Sequence, residues 1–216
     1  MSKEMWDYLK GKGYSDIAVA GIMGNLYAES GLVPNNLQQI YNASLGMTDE
    51  EYTRAVDQGT YTNFVRDMAG YGLAQWTFWS RKEALLQLAK SRGRSIADLY
   101  VQLDHLCNEL QEFGLTSKLN ACNTVRDASN IMLFEFEKPY DTGTQVQNAR
   151  ANWSQEFYDK YAGTQITAPA ADQPASSQQE YCVMAFLRCP DKTTARQKLS
   201  AVQAAGFQGI ITVSEP

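Results

Sequence analysis

Histidine and closely spaced cysteines, which build many protein metal sites, are almost missing from this chain of 216 residues. His105 is the only histidine. The four cysteines, Cys107, Cys122, Cys182 and Cys189, show neither CxxC nor Cys/His spacing. This pattern argues against a zinc site, and nothing in the sequence predicts a cofactor. A Cys107–Cys122 disulfide is one interpretation for an oxidising environment, and buried free thiols are the favoured one.

A surplus of positive charge is also missing. The chain has 19 Lys and Arg residues against 24 Asp and Glu residues, which gives a net charge of −5. Phosphate backbones are bound by clustered basic residues, so this composition argues against DNA or RNA as a partner.

Long apolar runs are missing as well. No stretch approaches the roughly 18 consecutive apolar residues of a membrane span. Residues 1–8 lead directly into an amphipathic helical pattern, without the basic start and apolar run of a signal peptide. We therefore expect a protein that is made in the cytoplasm without a signal peptide and does not enter a membrane.

The most informative element is a helix predicted over residues 16–29, with Ser15 as its N-cap. Gly21 and Gly24 lie inside it, and each costs about 1 kcal/mol relative to alanine. Their presence predicts that another element packs very closely against this helix. Its last turn delivers a carboxylate, Glu29, to the junction with the following loop.

The rest of the first 163 residues is predicted to be mainly helical, with one non-helical insert. Periodicity and capping boxes at Thr48 and Ser80 predict further helices over residues 3–12, 48–57, 80–93, 95–113, 124–137 and 145–161. Residues 32–47 are expected to be irregular, and residues 59–77, which mix glycines with aromatics, to contain short strands or extended turns. The predicted fold class is α+β and mainly α, a helical domain with a small β or loop insert.

A second module is predicted at the C-terminal end. Residues 164–179 are rich in Pro, Ala, Ser and Gln, which is typical of a solvated linker. Residues 180–216 then predict one βαβ unit. Because so short a unit buries little core alone, we expect it to pair, most simply with a copy of itself. The expected organisation is a domain over 1–163, a flexible linker over 164–179 and a βαβ module over 180–216.

The order of motifs in the first domain resembles that of a known superfamily. Glu29-Ser30-Gly31 ends a helix, Pro34-Asn35 follows, and Gly70-Tyr-Gly-Leu-Ala-Gln-Trp76 comes about 40 residues later. Over residues 3–161 this pattern resembles the lysozyme-like superfamily, in particular the phage tail lysozyme group of tail proteins and endolysins. It is similar, more distantly, to the soluble lytic transglycosylases. The resemblance implies a lysozyme-like helical domain that cleaves peptidoglycan glycan strands.

By position, the resemblance makes Glu29 the catalytic acid, Ser30 the substrate-binding hydroxyl that follows it and Gln75 a cleft side chain that hydrogen-bonds substrate. A Glu buried against apolar groups can stay protonated near neutral pH, as an acid in glycoside cleavage requires. Aromatic residues near the same segment are candidates for stacking on sugar rings or, alternatively, for the core. They are Tyr71, Trp76 and, more weakly, Tyr41 and Trp79.

A second carboxylate is less clearly marked. Retaining glycosidases need one about 5 Å from the acid, and inverting ones about 6.5–9.5 Å away. Asp67 is the first candidate, because it shortly precedes the Gly-Tyr-Gly segment. Asp49, Glu50 and Glu51 compete, but they lie in a predicted first helical turn, where acidic residues normally serve the helix dipole. A lytic transglycosylase needs no second carboxylate, since the muramic C6 hydroxyl attacks internally.

Other ionisable residues are assigned structural roles. Glu135, Glu137 and Asp141 surround a segment that resembles the late helix of the same fold, and we expect them to pack beneath the cleft. His105 fits a capping or solvent-facing position on its helix. None of these four residues is assigned to catalysis.

The C-terminal unit, with the segments 181–186 and 204–211, resembles one half of a SPOR-like repeat. Complete SPOR domains have two halves and bind glycan strands of peptidoglycan. A single half implies either a homodimer that completes a four-stranded sheet or a truncated repeat. The remaining alternative is a small βαβ unit of unassigned role.

These features together predict a phage endolysin that cleaves the β-1,4 bond between N-acetylmuramic acid and N-acetylglucosamine. Its partner is bacterial peptidoglycan, and a homodimer through the βαβ unit is expected. The enzyme would be made in the host cytoplasm and act at the wall after release through a holin pore. The alternatives are a lytic transglycosylase that uses the same Glu29 and a catalytically silent wall-binding or structural phage protein.

Overall fold

The computed structural model describes residues 1–164, and these residues form a mainly helical domain. The α-helices within this range are α1 Ser2–Gly11, α2 Asp16–Ser30, α3 Gln39–Leu45, α4 Asp49–Asp57, α5 Trp79–Ser91, α6 Leu99–Glu112, α7 Leu115–Asn120, α8 Val125–Ile131 and α9 Thr144–Tyr161. A π-helical segment, Met132–Glu137, continues directly from α8. None of these helices is long and apolar enough to cross a membrane. The predicted helical domain is confirmed, whereas the βαβ unit and all but the first residue of the predicted linker lie outside the described residues.

Helix α2 is the centre of the domain, and its ends follow the predicted signals. The Ser15 side chain accepts a hydrogen bond from the Ala18 amide, and Gly31 ends the helix in the left-handed region at φ 64°. Most of the residues between these ends are buried. A helix that is apolar on all sides belongs inside a protein, where other helices cover it.

The two glycines of α2 explain how closely it is covered. A Cβ atom on Gly21 would lie 2.6 Å from the Ala128 Cβ on α8, and one on Gly24 would lie 2.5 Å from the Ser154 amide nitrogen on α9. These distances are shorter than any van der Waals contact, so only glycine allows the backbones to approach this far. The predicted close packing is confirmed, and it brings α9 directly against α2.

The predicted β insert is present only as isolated bridges among the described residues. Tyr71 pairs with Leu37 and with Trp76, and the second pair closes two backbone hydrogen bonds of 3.2 and 2.9 Å. The chain bends at Gly72 and Gln75, where φ is 75° and 45°. Such positive φ values are incompatible with a continuing strand, which is why no ladder extends from these pairs.

Several helix boundaries differ from the prediction. Helix α3 lies in a segment expected to be irregular, and α7 was not predicted. Helix α4 has the predicted capping box of Thr48 and Glu51. The box predicted at Ser80 is wrong, because α5 begins at Trp79 without a side-chain cap, and the N-cap of α6 is Asp98 instead of Ser95.

The two described cysteines, Cys107 and Cys122, are free and half-buried. Burial raises the pKa of the Cys107 thiol to about 11, so this thiol stays protonated at neutral pH. Cys182 and Cys189 lie outside the described residues.

Candidate active site

Glu29 occupies the last turn of α2, where an arginine from α9 anchors it. Arg150 donates from Nη2 to Oε1 of Glu29 over 2.5 Å. The Arg150 side chain is 8% exposed, whereas the Glu29 side chain keeps 20% exposure. The guanidinium therefore fixes the carboxylate from the protein side and leaves part of it accessible from solvent.

The arginine is itself held by α2. Its Nη1 atom donates to the backbone oxygen and to Oδ1 of Asn25, both over 3.3 Å. Asn25 is fully buried and donates from Nδ2 to the Gly21 carbonyl and to the carbonyl and hydroxyl of Ser129 on α8. Because Asn25 is bonded to both helices, the orientation of Arg150 is tied to the packing of α2 against α8 and α9.

A second carboxyl group, that of Glu137, interacts electrostatically with both members of this pair. Glu137 ends the π-helical segment, whose last residue is followed by Lys138 in the left-handed region at φ 51°. The Oε1 atom of Glu137 is buried without a hydrogen-bond partner within residues 1–164. Burial, and then the charge of Glu29, raise the pKa of Glu137 well above its ordinary value, although Arg81 and Arg150 partly oppose this.

Arg81 and Glu109 extend the group of charges. Arg81 donates from Nε and Nη2 to the two carboxylate oxygens of Glu109, over 2.6 and 2.8 Å. The Arg81 guanidinium also lies 4.6 Å from the centre of the Phe136 ring, beside Glu137. We call Glu29, Arg150, Glu137, Arg81 and Glu109 the carboxyl cluster. Within residues 1–164, no group of three or more His, Cys, Asp and Glu side chains is arranged to hold a metal ion.

His105 lies at the edge of this cluster, beside Glu109 and Trp76. Its Nε2 atom is 3.6 Å from Oε1 of Glu109, and its ring lies 4.9 Å from the Trp76 ring. Burial lowers the pKa of His105, so the ring is neutral at neutral pH. The side chain is buried, so of the two positions expected from the sequence, capping or solvent-facing, the solvent-facing one is wrong.

Ser30 and Gln75 connect the glycine-aromatic segment to the rest of the site. Ser30 is buried, and its hydroxyl donates to the carbonyls of Leu26 and Leu73 over 3.1 and 2.9 Å. Gln75 is half-buried and donates from Nε2 to Asn36 and to the Gly72 carbonyl. Both side chains were predicted to contact substrate. In the structure, their hydrogen-bond donors are instead bonded to atoms of the protein itself.

Gln102 is a further residue that holds the glycine-aromatic segment in place, and it was not predicted from the sequence. This buried side chain accepts from the Leu73 amide over 2.8 Å and donates to the carbonyls of Pro34 and Ile96, both over 2.7 Å. It therefore joins the loop after α2 to the segment that contacts Ser30. A Cβ atom on Gly72 would lie 2.7 Å from this amide, so glycine is required there.

Tyr71 and Trp76 are core residues, which corrects the interpretation that they stack on sugars. Both are 0% exposed. The Tyr71 hydroxyl is hydrogen-bonded to Thr53, and the Trp76 indole donates to Oε2 of Glu109 over 2.8 Å. A ring covered on all sides offers no face to a ligand, so the core alternative is the one the structure supports.

The two weaker aromatic candidates have different surroundings. Tyr41 is half-buried on α3 and packs against the core. Trp79 is 48% exposed beside the exposed Phe78, and the Arg66 guanidinium lies 5.3 Å from its ring centre. Of the four aromatic candidates, Trp79 offers the most open ring.

Asp67 is enclosed in a separate ion pair, which corrects its expected place at the cleft. Its side chain is 3% exposed and accepts from the fully buried Lys82 over 2.5 Å. It also accepts from the hydroxyls of Tyr52 and Tyr61 and from the Ala69 amide. With both oxygens occupied, Asp67 is placed to neutralise Lys82, not to activate a water molecule beside Glu29.

The competing carboxylates have the local roles expected at a helix start. Glu51 accepts from the Thr48 amide in the capping box, and hydrogen bonding to Thr48 lowers its pKa. Asp49 accepts from Asn42 over 2.9 Å, and Glu50 from Asn35 over 3.3 Å. These contacts cap the start of α4 and join it to α3 and to the loop after α2.

Two open grooves in the described part of the chain lie away from Glu29. These grooves, of about 580 and 570 Å³, are lined by other parts of the chain, the first around Pro34, Arg54 and Asp57 and the second by residues 42–51. Glu29 lines neither groove. The site is therefore defined by the carboxyl cluster and its chemistry.

The described domain is helical, and its buried central helix ends in a partly accessible glutamate, which is where the resemblance to lysozyme-like proteins places the acid. The family model of the phage tail lysozymes matches residues 1–161, and the chain belongs to this family. No curated protein matches the chain. Family membership confirms the resemblance stated for this domain and assigns it to the peptidoglycan-cleaving, lysozyme-like proteins, while the SPOR-like assignment concerns residues outside the described range.

Proposed function

We propose that this chain cleaves the β-1,4 bond between N-acetylmuramic acid and N-acetylglucosamine, with Glu29 as the general acid. The observation that carries the proposal is the position of Glu29, partly accessible at the end of a buried helix and held by Arg150. Glu29 would protonate the glycosidic oxygen while the bond to the sugar carbon breaks. Water would then attack that carbon, which makes the enzyme a muramidase.

A lytic transglycosylase is the second candidate, and one observation favours it. Asp67, the expected second carboxylate, is enclosed by Lys82 and two tyrosines. Without Asp67 to activate water, the muramic C6 hydroxyl could attack the same carbon and form an anhydro product. Both reactions use Glu29 as the acid.

The biological setting that we propose is that of a phage endolysin. The protein would be made in the host cytoplasm, reach the wall after release and lyse the host. Its C-terminal module would bind the wall or form a homodimer. These roles are independent of the cleavage chemistry.

The test is digestion of purified peptidoglycan with the full chain and with Glu29→Gln, followed by mass spectrometry of the new glycan ends. Glu156→Gln on the exposed face of α9 is the matched control. Reducing N-acetylmuramic ends that disappear only in the Glu29 variant would support the muramidase, and anhydro ends the transglycosylase. If neither the wild type nor the control makes new ends, the protein is not a glycosidase.

A further inference from the structure

The carboxyl cluster contains one more negative group than positive groups. Its three carboxyl groups belong to Glu29, Glu109 and Glu137, and its two guanidinium groups to Arg81 and Arg150. Arg150 is bonded to Glu29, and Arg81 forms a two-point contact with Glu109. Glu137 is the carboxyl group left without a cation of its own, and its Oε1 atom is buried without a partner in the described residues.

A carboxylate with one oxygen buried and no counter-charge is costly, because the buried Oε1 atom loses its hydration and gains no ion pair. A single proton on Glu137 removes this cost and leaves two positive and two negative charges in the cluster. The neutral acid is therefore the form of Glu137 that its surroundings favour.

We propose that Glu137 holds, at neutral pH, the proton that Glu29 delivers to the glycosidic oxygen. The two carboxyl groups would act as a pair that contains one proton. Glu137 is then a positioning residue for that proton, since Glu29 is the group that meets the substrate. The inference rests on the proposed function of Glu29 as the acid.

The charged groups around Glu137 come from every helix packed on this cluster. They are Glu29 on α2, Arg81 on α5, Glu109 on α6 and Arg150 on α9. Burial and the Glu29 charge raise the pKa of Glu137, and the two guanidinium groups oppose this only in part. His105, also on α6, contributes no charge at neutral pH because burial lowers its pKa.

The π-helical segment explains why Glu137 is in this position. The Lys138 amide donates to the Leu133 carbonyl over 2.9 Å, five residues back, so the last turn is wider than in an α-helix. Glu135 of the same segment is bonded to Lys118 at the surface, whereas Glu137 has a buried Oε1 atom and interacts electrostatically with Arg81 and Arg150. The two glutamates thus provide a test residue and a matched control.

The proposed step balances in protons and charge. The O–H bond of Glu137 breaks as an O–H bond forms on Glu29, and Glu137 keeps the electron pair as a carboxylate. Glu29 then passes the proton to the glycosidic oxygen, which leaves with the electrons of its bond to the sugar carbon. The attacking water or C6 hydroxyl releases one proton, and this returns to the carboxyl pair.

The test compares Glu137→Gln with Glu135→Gln in the full chain, by measuring kcat and kcat/KM for peptidoglycan cleavage against pH. Glutamine is neutral and nearly isosteric with a protonated Glu. If the role of Glu137 were merely structural, the substitution would therefore preserve it. General acids contribute about 10²–10⁴-fold, and we expect Glu137→Gln to lower kcat at least about tenfold. In this variant, the alkaline limb of the profile of kcat against pH should also move to lower pH, because the group that retains the proton is gone. A wild-type profile in Glu137→Gln would overturn the inference.

Infrared spectroscopy gives a readout that does not depend on activity. The wild type should show the C=O band of a protonated carboxyl group at neutral pH, and Glu137→Gln should lack it while Glu135→Gln keeps it. Absence of this band from the wild type overturns the inference even when cleavage occurs. Presence of the band with no cleavage by the wild type overturns instead the proposed function and, with it, the catalytic use of the proton. If Glu137→Gln does not fold, Glu137→Met serves as a second neutral variant in both measurements.

Discussion

Arg150 and Glu29 are joined by a hydrogen bond of 2.5 Å across 121 residues of sequence. The bond connects the last helix of the described domain to its central helix. Arg150 also contacts Asn25, so its guanidinium is fixed in two places on α2. The position of the candidate catalytic acid thus depends on a side chain from a distant part of the chain.

Arg150→Lys tests this dependence. Lysine keeps the positive charge but has a single nitrogen, so it cannot bond Glu29 and Asn25 in the same geometry. We expect kcat to fall about tenfold or more, since small displacements of a catalytic group have effects up to about 10²-fold. Steady-state kinetics on peptidoglycan measures this. Arg126→Lys, at an exposed arginine bonded to Asn148, should leave kcat unchanged. Equal kcat values for the two variants would contradict the anchoring role.

Gly24→Ala tests the close packing of α2 and α9. The added Cβ would lie 2.5 Å from the Ser154 backbone nitrogen, so the two helices must separate. Overpacking of this kind costs about 1–3 kcal/mol, which denaturant unfolding measures. Gly11→Ala is the control, because a Cβ there meets nothing within 4 Å. Similar unfolding free energies for the two variants would be evidence against the tight contact.

Lys82→Met tests the enclosed ion pair. Lys82 is fully buried against Asp67, and its removal leaves a buried carboxylate without its cation. Breaking a buried pair from one side costs about 3–5 kcal/mol. Lys90→Met at an exposed position of the same helix should change stability little. If both variants show the same midpoint of urea unfolding, the pair does not stabilise the fold.

Asp104→Asn tests the pH dependence of stability. Burial raises the pKa of Asp104, but hydrogen bonds from Lys12, Tyr8 and Arg92 outweigh burial and leave the pKa below its usual range. A depressed pKa in the folded state stabilises the protein above the unfolded value of about 3.9, and this stabilisation is lost as the pH falls through the folded value. We therefore expect Asp104→Asn to cost more unfolding free energy at pH 7 than at pH 2. The exposed Asp159→Asn should show no such difference, and a pH-independent cost in Asp104→Asn would refute the linkage.

The helical framework was largely predictable, because periodicity and capping residues are local signals. Ser15 and Thr48 cap the helices that they were predicted to cap, and the glycines of α2 correctly indicated close packing. Helices α3 and α7 were not predicted, and neither has a side-chain N-cap to mark its start. A prediction based on N-cap residues therefore misses short helices that begin without one.

The candidate site was only partly predictable. Glu29 follows from the helix end and the motif order, but Arg150 lies in a distant helix without a distinguishing neighbour. The ion pairs of Arg81 and Glu109 likewise have no sequence spacing that reveals them. The segment around Tyr71 and Trp76 has the same composition whether its rings face a cleft or a core, and the hydrogen bond of Trp76 to Glu109 shows which applies.

Because α2 lies far before α9 in the sequence, the two helices are synthesised at different times. A ribosome releases the residues of α2 long before those of α9, and during that interval Glu29 has no guanidinium beside it and Gly24 has no backbone to pack against. Nascent or prematurely terminated chains that stop before Thr144 therefore lack the arginine that positions the acid. The molecule acquires its complete cluster only when translation has passed α9, which delays the onset of any wall-cleaving activity.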